Sequence, residues 1–143
     1  MTPLTQDQIK EIASELQTGM LCYLNTKTGE IIYVPNEDLV HDTKGWEDVF
    51  KKLDNDFNFR EIEKPNSKEQ FIIMEDFVLA LPDDNLKSEL LDVLDDEKPF
   101  RNFRKAVDKS HLRNEWLAFN NKKLVDWVAE EVQFILERAG DEG

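Results

Sequence analysis

The stretch MLCYLNTKTGEIIYV, residues 20–34, decides how the rest of the chain is read. Met20 to Asn25 and Glu30 to Val34 are runs of strand length, carrying Tyr23, Ile31, Ile32, Tyr33 and Val34, with Thr26-Lys27-Thr28-Gly29 between them. Gly29 can take the positive φ of a short hairpin loop, so the stretch predicts an antiparallel hairpin. Upstream, Thr5-x-x-Gln8 spells a capping box, and Ile9, Ile12, Ala13 and Leu16 recur at helical spacing. An amphipathic helix therefore leads into the hairpin, running to about Gln17 and stopping at Gly19. Downstream, Trp46, Val49, Phe50 and Leu53 mark a second helix after Gly45. Phe57-Asn58-Phe59 and the following Arg60-Glu61-Ile62 predict a third strand, ended by Pro65.

From Ser67 onward the pattern is helical. Ser67-x-x-Gln70 reads as a second capping box, heading a helix that reaches Leu81 and is halted by Pro82. Leu86, Leu90, Val93 and Leu94 mark the next helix; Phe100, Phe103 and Val107 mark another, with Pro99 in its first turn. A last pair is expected, with Ser110 capping a segment that carries Leu112, Trp116 and Phe119. Asn120 or Asn121 then caps the longest helix, Lys122 to about Ala139. The fold class is α+β: a small antiparallel hairpin or three-stranded sheet near the N-terminus, packed with a predominantly helical C-terminal bundle. No linker or repeat divides the chain, so 1–143 reads as one domain: a helix and hairpin half (1–65), a helical half (66–139) and a frayed tail (140–143).

Composition narrows the function classes. A chain of 143 residues with nine Phe and three Trp buries roughly two thirds of its unfolded surface, which excludes intrinsic disorder. One cysteine and two histidines build neither a disulfide framework nor a four-ligand Cys/His zinc site, and no cofactor is expected. The acidic groups Asp83-Asp84 and Asp92-x-x-Asp95-Asp96-Glu97 lack the alternating ligands and central glycine of a calcium loop, and read as a solvated rim. Nucleophile-elbow and phosphate-loop motifs are absent, so no catalytic residue is assigned and a non-enzymatic chain is expected. Cys22 has no activating histidine nearby in sequence and reads as an inert, buried or half-buried thiol. His41 and His111 have no ligand spacing and read as surface or capping residues. Gln6, Asp7, Lys10 and Glu11 fall where a signal peptide needs apolar residues, and no run spans a bilayer; a cytoplasmic location away from membranes is expected.

The net charge of −13 disfavours nucleic acid and anionic membranes, yet it hides an opposite local field. Residues 98–123 carry eight basic and two acidic side chains, whereas 1–97 carry nine and 23 and 124–143 carry one and six. At 100° per residue, Phe100, Phe103 and Val107 fall within about 60°, and Arg101, Arg104 and Lys105 span about 100° beside them. The aromatics then belong to the core, which disfavours base stacking on a single strand. Asp108, four residues after Arg104, is expected to neutralise part of this arc. Arg101, Arg104, Lys105, Lys109 and Arg113 are the candidate anion- or partner-binding residues.

Glu75 and Asp76 lie in a helix that is apolar nearly all round, with no charged neighbour on their own helix. They are candidate buried carboxylates, and an uncompensated buried carboxylate costs several kcal/mol, so pairing of one of them with Arg101 or Arg104 across two packed helices is expected. The rival reading makes these four residues the site of a phosphate- or anion-binding or hydrolytic domain. On the last helix, Leu124, Val125, Val128, Val132, Ile135, Leu136 and Ala139 fill one arc, and Trp127 with Phe134 a second. Either an early element such as the hairpin covers that second stripe, or Trp127 and Phe134 form an interface for a dimer or a protein partner.

Four stretches carry a family likeness: Leu24-Asn25-Thr26 through Thr28-Gly29-Glu30, Phe71-x-x-Met74-Glu75-x-Phe77, Phe100-Arg101-x-Phe103-Arg104, and Trp116-x-x-Phe119. Together they resemble uncharacterised protein family 0158, small bacterial proteins with no established activity. The resemblance spans about residues 20 to 130, implies a bacterial cytoplasmic protein, and carries over no catalytic or cofactor residue. The family pattern commonly has lysine where this chain has Arg104, which keeps the charge but not the planar donor fork. The expectation is an acidic, non-enzymatic protein-interaction module, monomer or homodimer, with an unidentified protein partner. Anion-ligand chemistry is the alternative, and single-stranded nucleic acid on residues 98–123 a third.

Overall fold

The computed structural model describes residues 4–36 and 45–142, the side chains of the last two excepted. Thr5 opens helix α1 (Gln6–Gln17): its hydroxyl accepts from the Gln8 amide while Gln8 Oε1 accepts from the Thr5 amide at 2.8 Å. Both donors would otherwise be orphaned at the helix start. Ile12, Ala13 and Leu16 are buried, and Gly19 turns the chain at φ +91°. The predicted hairpin follows as β1 (Met20–Asn25) and β2 (Ile31–Pro35), antiparallel, with Cys22 opposite Tyr33 and Leu24 opposite Ile31. Gly29, at φ +79°, supplies the loop conformation that a side chain disfavours.

Helix α2 (Glu47–Asn55) leads to β3 (Phe59–Glu61), which pairs antiparallel with β1 and gives the sheet order β2-β1-β3. The strand is shorter than the 57–62 run predicts. Asp56 Oδ1 accepts from both the amide and the side chain of Asn58, which holds this segment in a turn and leaves Phe57 82% exposed. Asn25, 2% exposed, ties this turn to the hairpin: Oδ1 accepts from the Lys27 and Thr28 amides, and Nδ2 donates to Asp56 Oδ2 at 3.1 Å. Residues 37–44 lie outside the described residues; each described helix and strand of the N-terminal half follows from its sequence signal.

The next helix, α3 (Ser67–Leu79), corrects one reading. Its capping box is Asn66-x-x-Glu69, one residue earlier than Ser67-x-x-Gln70; Asn66 Oδ1 accepts from the Glu69 amide at 2.9 Å. Gln70 Nε2 instead donates to the Pro65 carbonyl at 2.7 Å. Asp83 caps α4 (Asp84–Leu94), and Pro99 occupies the first turn of α5 (Pro99–Lys109). Ser110 ends α5, donating to the Val107 carbonyl and accepting from the Leu112 amide.

A second correction concerns the expected last pair of helices. One helix, α6 (Arg113–Glu142), runs through Asn120, Asn121 and Gly140 without a break. Each asparagine costs under about 0.7 kcal/mol in a helix interior, whereas a break would create two ends with four orphaned backbone groups apiece.

The backbone divides into two compact units, Met1–Lys64 with Val125–Gly143, and Pro65–Leu124. In the first, the buried side chains include Ile12, Leu16, Cys22, Leu24, Val34 and Val128. Trp127 Nε1 donates to the Glu63 carbonyl at 2.8 Å, fastening α6 to the exit from β3. In the second, the core is a cluster that includes Met74, Phe77, Val78, Leu90, Phe103 and Val107. Trp116 is its hub, meeting Phe77 and Phe103 edge to face at centroid separations of 5.3 and 5.0 Å.

Candidate functional site

The core of the second unit sets which way α5 faces. Phe103 (1% exposed) and Val107 (0%) are drawn inward, so the opposite side of the helix turns to water. Arg101, Arg104, Lys105 and Lys109 are all exposed there. Asp108 stands in the same arc, but the expected neutralisation of Arg101 or Arg104 does not occur. Its Oδ1 lies 3.5 Å from Nε of Arg113, which projects from the start of α6. Among the described residues, Arg101, Arg104, Lys105 and Lys109 enter no ion pair. Phe100, expected in the core with Phe103 and Val107, is instead 40% exposed in the first turn of α5 and borders these cations.

The predicted pairing with the α3 carboxylates is also absent: no ion pair joins Glu75 or Asp76 to Arg101 or Arg104 among the described residues. The reason lies in how α3 packs. Met74, Phe77 and Val78 are buried, so the opposite side of an almost wholly apolar helix must meet solvent. Ile72 (46% exposed) and Leu79 (52%) lie on that side with exposed Asp76, while Glu75 is half-buried at its edge. Water solvates the carboxylates, and no internal cation is required. An apolar ridge bordered by acids results. The sequence signal for it is the spacing of Ile72 and Leu79 by seven with Asp76 between them, which shows a shared face without saying that the face is outward.

The remaining candidates lie apart from these two faces. Trp127 is half-buried and donates to Glu63, so part of the second stripe of α6 is covered by the segment after β3. Phe134 stays 53% exposed, with the Arg138 guanidinium 5.5 Å from its ring centre. Cys22 is fully buried, and burial pushes its thiol up to about 12, with Glu15, Glu11 and Glu61 acting in the same direction. A thiol so raised stays protonated near neutral pH, whereas the nucleophile is the thiolate. Asp83 caps α4, and Asp96 accepts from the Glu97 amide and from Asn102 Nδ2. No group of three or more metal-ligating side chains assembles among the described residues. His111 is exposed; His41 lies outside the described residues.

The fold is thus an α+β chain with a three-stranded antiparallel sheet near its N-terminus, and its second unit displays two charged helical faces. The chain belongs to the uncharacterised protein family UPF0158, whose family model matches residues 1–141. No curated protein and no solved structure matches it. Among the described residues, no helix is long and apolar enough to cross a membrane.

Proposed function

We propose that this chain is a non-enzymatic protein-interaction module of the bacterial cytoplasm that holds an acidic protein surface through the outer face of α5. One observation carries the reading: Arg101, Arg104, Lys105 and Lys109 are exposed without an ion pair among the described residues, while the nearby Asp108 is taken by Arg113. Solvated cations without internal partners are free to meet external carboxylates and to steer their approach. The chain's overall negative charge does not prevent this, since at physiological salt fields between exposed charges fade over about 8 Å. Phe100 provides an apolar anchor beside the cations, the combination of contacts found where protein interfaces pass from core to rim. Single-strand binding relies on several stacked rings, and Phe103 is buried.

Capture from lysate with wild-type and Arg101→Glu/Arg104→Glu baits tests the reading. A protein retained by the wild type, lost with the reversed face and unaffected by nuclease is the expected outcome. Equal retention by both baits would refute it, and loss on nuclease treatment would transfer the face to nucleic acid.

A further inference from the structure

We infer that the acidic surface received by α5 is the outer face of α3 on a second copy of this chain. The inference rests on the preceding reading of α5 and names its partner. Two faces of the same unit carry complementary patterns. On α3, Ile72 and Leu79 form an exposed apolar ridge, with Asp76 and the half-buried Glu75 alongside. On α5, exposed Phe100 is bordered by Arg101, Arg104 and Lys105. Within one copy these acids and bases form no ion pair among the described residues. Between two copies, the α3 ridge covers Phe100 and its neighbours while carboxylate meets guanidinium. Apolar burial supplies the attraction, and the charges select the register.

Electrostatics at the scale of the unit permits the approach. Pro65–Leu124 holds ten basic and twelve acidic side chains, so it is close to neutral. The rest of the chain holds eight and nineteen, and carries most of the net charge. Two copies meeting through the second unit therefore face little repulsion at the contact itself. An unrelated acidic protein would satisfy the α5 cations but would leave the α3 ridge uncovered; a second copy accounts for both faces at once.

Sedimentation equilibrium of the full chain over a concentration series tests the contact. The wild type is expected to rise above monomer mass. Arg101→Glu/Arg104→Glu and, separately, Glu75→Arg/Asp76→Arg should each weaken association by about tenfold or more, since attraction becomes like-charge repulsion. Mixing the two variants restores every α3 to α5 contact with opposite signs, so the mixture should regain the wild-type association. None of the four side chains is in the core, and circular dichroism of each variant confirms folding. A wild type that stays monomeric overturns the inference, as does association that survives both reversals or a mixture that remains dissociated. If the wild type is monomeric yet the reversed bait still loses a captured protein, the reading of α5 stands and only its partner is wrong. Equal capture by both baits removes the two together.

Discussion

Burial raises the Cys22 thiol from the ordinary 9.0 to about 12, and the carboxylates of Glu15, Glu11 and Glu61 add to the shift. Tyr33, which faces Cys22 across the hairpin, is raised for the same reason, burial first and then Cys22, Glu11 and Glu15. Both groups are neutral acids whose ionisation the fold disfavours. Above about pH 9 the folded chain keeps a proton that the unfolded chain has released. The contribution of Cys22 is therefore intact below that pH and declines toward pH 12, by up to about 1.4 kcal/mol per pH unit. Urea unfolding across this range should show stability falling with pH in the wild type, and falling less steeply in Cys22→Ala. Parallel curves would show that the thiol contributes nothing. The sequence places Cys22 on a strand next to Leu21 and Tyr23, but that Glu15 and Glu11 of α1 and Glu61 of β3 all act on it follows only from the way the helix and sheet pack.

At the scale of elements, the start of α3 shows how a motif can be right in kind and wrong by one position. Ser67-x-x-Gln70 and Asn66-x-x-Glu69 both match a capping template. The cap is the residue that stays extended, and that is Asn66, at φ −74° and ψ 177°. Asn66→Ala should cost about 1 kcal/mol in thermal or urea unfolding, and Ser67→Ala less than about 0.5 kcal/mol. The reverse order would return the cap to Ser67. For α1 only Thr5-x-x-Gln8 competes for the helix start, and there the sequence and structure agree to the residue. The continuous α6 is the opposite case: Asn120 and Asn121 are good caps by type, yet their local preference yields to apolar residues that continue at helical spacing on both sides.

At the scale of the molecule, the two units differ most in charge. Eight basic and nineteen acidic side chains in Met1–Lys64 with Val125–Gly143 repel one another, a strain that ions in solution relieve. The thermal midpoint should accordingly rise from low to physiological ionic strength, followed by circular dichroism; a fall would mean that specific ion pairs, such as Lys52 with Glu30 at 2.7 Å, outweigh the general repulsion. The elements themselves were legible along the chain because caps, glycine turns and apolar periodicity are interactions between residues a few positions apart. The basic composition of 98–123 was legible for the same reason, and so were Phe103 and Val107 of the expected inward set of α5, but not the exposure of its third member, Phe100. Which acid meets which base was not. Arg113 takes Asp108 across the turn between two helices, Asp76 is left to water by the way α3 packs, and Trp127 reaches the Glu63 carbonyl, 64 positions away, because packing brings those segments together with free energies larger than the few tenths of a kcal/mol that local charge pairs supply.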